Sequence, residues 1–266
     1  MLKKANWRTS FSPSPPIKRI KPNMHPVFIL SKRELSGFFS TLPSWLFLTA
    51  FVLLSGFLPF YAGRFFERSL ADLQPFFYFQ PALLCLFVPV WTAHAFSFEE
   101  QTGSLEILQT LPFSCTQLIL GKFCAYATLC LIALILTVPF WYTVNFLGAP
   151  DNIAVLTGYA GIFLTACCFV AVSLFFSVCT RSASNAFAGA LIACGVCFYF
   201  NADIVKKLTG FSGLHTDFIN SFGINAHLFS LVNGLVGIYD FLFFISFTAF
   251  WLTAAKLILK NKGLPA

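Results

Sequence analysis

Glu99-Glu100-Gln101-Thr102-Gly103-Ser104-Leu105-Glu106-Ile107-Leu108-Gln109-Thr110-Leu111-Pro112-Phe113-Ser114-Cys115-Thr116-Gln117-Leu118-Ile119-Leu120-Gly121-Lys122 is a polar insert between two long apolar runs. It carries three of the chain's ten acidic residues, Glu99, Glu100 and Glu106, within eight positions. The pattern predicts a turn at Gly103 and then one short amphipathic helix. Ser104 can help cap that helix, Leu105, Leu108 and Leu111 line one side at i, i+3 and i+6, and Pro112 ends it. Such an insert is suited to being gripped from outside a membrane, and the runs beside it show that a membrane is present.

With 58% hydrophobic residues, 10% charged residues and a mean hydropathy of +0.78, the chain has more apolar surface than one soluble core can bury. A bilayer core takes about 20 apolar residues per helical span. Predominantly apolar runs of that order are Leu42–Tyr61, Phe76–Phe96, Lys122–Leu147, Ile153–Val178, Asn185–Ala202 and Gly237–Leu259. Backbone polar groups in lipid must be satisfied within each segment, so these runs predict an all-α polytopic membrane protein with six transmembrane helices. The two-residue alternation of a membrane barrel is absent.

Lysine and arginine orient the bundle. If the N-terminus is cytoplasmic, thirteen of the seventeen basic residues fall on that side, and only Arg64, Arg68, Lys206 and Lys207 on the other. Both termini are therefore expected in the cytoplasm. The net charge of +7 is read as a topology signal, so nucleic acid is not an expected partner.

Residues 1–26 form a basic Ser/Pro-rich tail, expected to be disordered and drawn weakly to anionic lipid. The tail has no apolar h-region of a signal peptide, and Met24 is an alternative expected start. Residues 27–41 are expected to form an interfacial amphipathic helix, with Lys32, Arg33 and Glu34 facing water, Phe38 and Phe39 facing lipid, and Trp45 anchoring the first span. The transmembrane domain covers 42–259, with a cytoplasmic segment at 97–121, an outer segment at 203–236 and a cytoplasmic end at 260–266.

Pro81 and Pro89 are expected to kink or unwind the second span, and Pro139 to interrupt the third. Asp240 is placed to cap the last helix. No span carries Lys, Arg, Asp or Glu deep in its core, which argues against a buried charge site and leaves apolar or amphiphilic cargo open. Cys194 and Cys197 form a C-x-x-C inside an apolar run, where helix packing is expected and a metal is not.

Two protease patterns fail on their context. Gly210-Phe211-Ser212-Gly213 with His215 and His227 is similar to the G-x-S-G of rhomboid-type intramembrane proteases, but His215 and Asp217 follow at once in a polar loop. Glu99-Glu100 is similar to the E-E-x-x-x-R of prenyl-protein-type proteases, with Ser104 where the arginine belongs. Gly121-Lys122 is no phosphate loop either, because Phe123 follows and no glycine stands five residues earlier.

Glu99, Gly103-Ser104-Leu105-Glu106, Leu108, Thr110, Pro112 and Gly121-Lys122 together resemble the cytoplasmic signature of type 2 ABC exporter permeases. The resemblance is greatest to the subgroup of gliding-motility-associated and nitrous-oxide-reductase-maturation permeases. It extends to Lys32-Arg33-Glu34-Leu35 with Phe38-Phe39 and to Gly234, Asp240 and Phe243-Phe244, so it spans roughly Met24 to Leu259. It departs where Ser104 replaces the usual threonine and where Glu100, Gln101 and Thr102 stand in place of basic residues. So acidic a site predicts a dedicated ATPase with a basic rim.

This resemblance implies a permease subunit in a bacterial inner membrane, coupled to a separate ABC ATPase through Glu99, Glu100, Gly103, Ser104, Leu105, Glu106, Leu108, Leu111 and Pro112. The leucines would dock and the three glutamates would choose the partner. It implies a second permease subunit, identical or paralogous, and leaves room for an extracytoplasmic auxiliary protein. No cofactor is bound by this chain; ATP and magnesium belong to the partner, and this chain is not an enzyme. The alternatives are an ABC-linked subunit that transmits force or signal, or supports assembly, without moving a small molecule, and, weakest, an intramembrane protease.

Overall fold

The computed structural model describes residues 26–63, 73–101, 114–148, 150–199 and 223–262. Ten helices are present among them: α1 (Pro26–Phe39), α2 (Leu42–Tyr61), α3 (Gln74–Thr92), α4 (His94–Gln101), α5 (Cys115–Ile135), α6 (Val138–Leu147), α7 (Asn152–Cys179), α8 (Ala183–Tyr199), α9 (Ile224–Val232) and α10 (Ile238–Asn261). No strand occurs among the described residues.

Local chemistry sets the helix ends. Pro43, Pro75 and Pro139 stand in the first turns of α2, α3 and α6, where a missing N–H costs nothing. Ser114 and Gln117 close a reciprocal capping box on α5: the Ser114 hydroxyl accepts from the Gln117 amide at 3.3 Å, and the Ser114 amide donates to Gln117 Oε1 at 3.2 Å. Asp151 accepts from the Ile153 and Ala154 amides at the head of α7. Gly234, at φ +76°, ends α9 in a Schellman turn in which the Leu235 amide donates to the Ser230 carbonyl and the Gly234 amide to that of Leu231.

Five helical segments are long and apolar enough to cross a membrane: Leu42–Tyr61, Gln74–Gln101, Cys115–Leu147, Asn152–Cys179 and Ile238–Asn261. The fifth apolar run of the sequence forms α8, a helix of 17 residues. The third segment begins at Cys115, seven residues before the expected Lys122, so that lysine lies about two turns inside the helix. The breaks fall near the prolines. Ala93 separates α3 from α4 four residues beyond Pro89, and Leu136-Thr137 separates α5 from α6 just before Pro139.

At the α3–α4 break, Ser177 of α7 takes up the freed backbone groups. Its hydroxyl donates to the Ala93 carbonyl at 3.2 Å and accepts from the Phe96 amide at 3.0 Å. Unwinding within a span is tolerated where a neighbouring hydroxyl satisfies it in this way.

The segments containing α3 and α7 are the centre of the bundle, 72% and 67% buried over their apolar windows, against 22% for α2 and 17% for α10. α7 touches α3, α4, α5, α8, α9 and α10. Small residues allow the approach: a Cβ added at Gly158 would lie 2.7 Å from the Phe77 ring, and one at Gly189 would lie 2.7 Å from Phe176. Cys194 packs in this core beside the Ser173 hydroxyl, as a helix-packing thiol.

Helix α1 is more than a float on the surface. Leu30 is buried, and it lies against α5 at Gly121, where an added Cβ would meet the Leu30 side chain at 2.6 Å. Phe38 packs edge-on to Trp91, and the Trp45 indole donates to the Phe39 carbonyl at 3.0 Å. Phe28 and Ile29 remain exposed.

Asp240 is not a cap. Gly237 occupies the N-cap of α10, and the Asp240 carboxylate is instead paired with His227 Nδ1 at 2.6 Å, beneath Phe243, on which the imidazole stacks.

The α1–α5 contact has a direct check. Gly121→Val is expected to lower thermal stability in detergent by about 1–3 kcal/mol through overpacking. Combining it with Leu30→Ala should cost less than the two single losses added. Additive losses would show that the two side chains do not meet.

Candidate functional site

The described parts of the interval 97–121 are the ends of two long helices: 97–101 closes α4, and 115–121 opens α5. Gly103, Ser104, Leu105, Glu106, Leu108, Leu111 and Pro112 lie outside the described residues, as do the 1–25 tail, Arg64, Arg68, Ser212 and His215. The structure does show what holds the two flanks of 102–113.

Lys122 is the centre of that arrangement. Its side chain is fully buried, which corrects the expectation that no span encloses a charge. An ammonium has three protons to give, and each finds an acceptor: Glu34 Oε1 at 3.1 Å, Glu99 Oε1 at 2.9 Å and the Ala95 carbonyl at 2.6 Å. The Phe96 ring lies 4.9 Å from Nζ and adds a cation–π contact. Ala95 is the second residue of α4, and a carbonyl oxygen has two lone pairs with which to accept.

Arg33 closes the same cluster from the water side. Its Nη2 lies 3.0 Å from Glu34 Oε1 and 3.2 Å from Glu99 Oε1. Two carboxylates are thus held between a buried ammonium and an exposed guanidinium, and the formal charges cancel. The cluster joins α1, α4 and α5. Helix α1 is therefore fastened at Arg33 and Glu34 by ion pairs as well as by Leu30, while Lys32 is exposed.

Glu100 turns the other way. Its two oxygens take Arg181 Nε at 3.0 Å and Lys262 Nζ at 2.6 Å, and Lys262 also donates to the Val178 carbonyl. Gln101 Nε2 donates to the Arg181 carbonyl at 2.7 Å. Hydrogen bonding by both cations fixes this carboxylate to the α7–α8 turn and to the end of α10. Adjacent glutamates on one helix end therefore bind different sets of helices.

The sequence places Glu99 and Glu100 at the site and Lys122 in the same signature, but as the edge of a span and not as a buried ion-pair partner. The available signal was Leu118-Ile119-Leu120 before it, a run too apolar for a loop. Ser177 had no sequence signal beyond being a hydroxyl in a buried span. Gln80 was also missed. It is fully buried in α3, accepts from Ser55 at 3.2 Å, and its side-chain Nε2 has no partner. Among the described residues no three His, Cys, Asp or Glu side chains converge as metal ligands would. The geometry is mechanical: an ion network of two cations and two carboxylates clamping helix ends.

Breaking a buried ion pair from one side leaves an uncompensated charge and costs about 3–5 kcal/mol. Lys122→Met, with Glu34 and Glu99 left facing each other, is expected to lose stability of that order in a detergent unfolding assay. Adding Glu34→Gln and Glu99→Gln to Lys122→Met should recover more than half of the loss. A Lys122→Met protein as stable as the parent would contradict the clamp.

A search of curated proteins found no match. The family model described as ABC-2 family transporter protein matches residues 67–265, three quarters of the chain, including α3 to α10 and both flanks of 102–113. A multi-pass helical bundle is what that family requires, and the chain belongs to it: it is an ABC-2 family transporter protein, the membrane permease component of an ABC transporter.

Proposed function

We propose that this chain is an export-type permease subunit that couples to a separate ATPase through residues 102–113. The observation that carries this reading is the double clamp. Gln101 and Ser114, the residues on either side of 102–113, belong to helix ends tied through Glu99, Glu100 and Lys122 to α1, α5, the α7–α8 turn and α10. A segment mounted on such fixed posts can pass a push from outside into the bundle, whereas a slack loop would absorb it.

In this reading the leucine stripe Leu105, Leu108 and Leu111 seats in a groove of the ATPase, as an amphipathic helix does. Gly103 and Ser104 turn and cap it. Glu99 and Glu100 act as anchors through their internal ion pairs, and Glu106 is the acid left to choose a partner with a basic rim. The thirteen-to-four distribution of basic residues supports placing the ion network in the cytoplasm.

α8, at 17 residues, would be a sixth, short span, within the lower limit for a helix crossing a bilayer. The working unit is two permeases, identical or paralogous, with two ATPase subunits that hold the ATP and magnesium, in a bacterial inner membrane. ATP-driven closure would bias the bundle between inward- and outward-facing states by binding them unequally.

Leu108→Asp and Gly103→Pro are each expected to cut co-purification with the cognate ATPase more than tenfold, with membrane insertion and thermal stability unchanged. ATPase recovery equal to the parent's in both variants would defeat the reading.

A further inference from the structure

At the end of the bundle opposite the ion network, a cleft of about 930 Å³ opens between the end of α2, the start of α3, the end of α8, and α9. Ligand sites commonly hold about 300–1,000 Å³, so this one can take an organic molecule of appreciable size. Its walls include the Phe77, Phe79, Phe198 and Phe229 rings. Along α3 it runs from Gln74 to Ala82, about 12 Å at the usual helical rise, which carries it from the head of a span into apolar depth.

The polar groups of its described lining have one character. The Asn225 amide of α9, the Asn233 amide just past its end and the Gln74 amide of α3 line it, and Tyr78 and Tyr199 contribute phenols. None of its described lining residues is Asp, Glu, Lys, Arg or His. A phosphate head group or an inorganic ion entering here would give up water without a counter-charge, at a cost of several kcal/mol. A pure hydrocarbon would leave the amides unmatched. An occupant with a hydroxyl- or amide-bearing head and an alkyl tail satisfies both walls.

We infer that this cleft binds a neutral amphiphile, with its uncharged head at Asn225 and Asn233 and its chain among the phenylalanines. Under the permease function proposed above, on which this last step rests, such a molecule belongs to the cargo class. Binding itself needs no ATPase. Its failure would leave the ATPase-docking result standing, and loss of ATPase docking would leave binding standing.

The test uses the full chain in phosphatidylcholine nanodiscs with a diazirine-bearing monoacylglycerol, and in parallel a phosphatidic acid bearing the same diazirine chain. Expected is monoacylglycerol labelling confined to peptides 74–82 and 225–233, displaced by excess unlabelled monoacylglycerol, with phosphatidic acid labelling there under a tenth as strong. Ala82→Trp should reduce that labelling at least tenfold, while Leu257→Trp, on the exposed side of α10, should not. Labelling spread along the exposed helices, failure of displacement, or equal labelling by phosphatidic acid would each overturn the inference. Should Ala82→Trp fail to fold, displacement on the parent protein decides.

Discussion

An ammonium group cannot be buried alone, and the charged end of this bundle is built around that constraint. Lys122 sits about two turns inside a long apolar helix with no exposure to solvent. It can stay there only if every proton is accepted and its charge is balanced. Meeting that requirement fixes Glu34, and with it the placement of α1. It fixes Glu99, and with it the end of α4. It also uses the Ala95 carbonyl of α4.

Function follows from where these ties fall. Glu99 and Glu100 are neighbours in sequence, yet one is held by α1 and α5 while the other is held by the α7–α8 turn and α10. The short stretch that leads into 102–113 is thereby connected to nearly every helix that reaches this end. On the opposite end the chemistry changes: phenylalanine walls, asparagine amides and one carboxylate–imidazole pair at Asp240 and His227. Under the proposed function the first end takes up force, and under the further inference the second holds a neutral amphiphile.

The sequence was most legible where a single physical rule operates. The first apolar run was bounded at Leu42 and Tyr61, as the helix is, because proline and aromatic residues mark both edges. Pro139 announced the α5–α6 break. Legibility failed where a charge is neutralised by a distant partner. Treating charge as a span boundary placed the third helix at Lys122, seven residues late, since nothing local shows that Glu34, 88 residues away, will balance it. The same cause misplaced Asp240, whose partner His227 lies on another helix. Ser177, which bridges a helix break 80 residues distant, is likewise invisible without the fold.

The central claim is that the ion network, by fixing the flanks of 102–113, lets ATP hydrolysis act on the bundle. It is tested most directly in the triple variant Lys122→Met, Glu34→Gln, Glu99→Gln, which removes the cluster's ion pairs and leaves the exposed Arg33 as its one remaining charge. The measurement is the ATP hydrolysis rate of the reconstituted complex relative to the ATPase alone. The account predicts that the variant still binds the ATPase but loses at least tenfold of the permease-dependent change in rate. A variant that binds and modulates the ATPase as the parent does would contradict it.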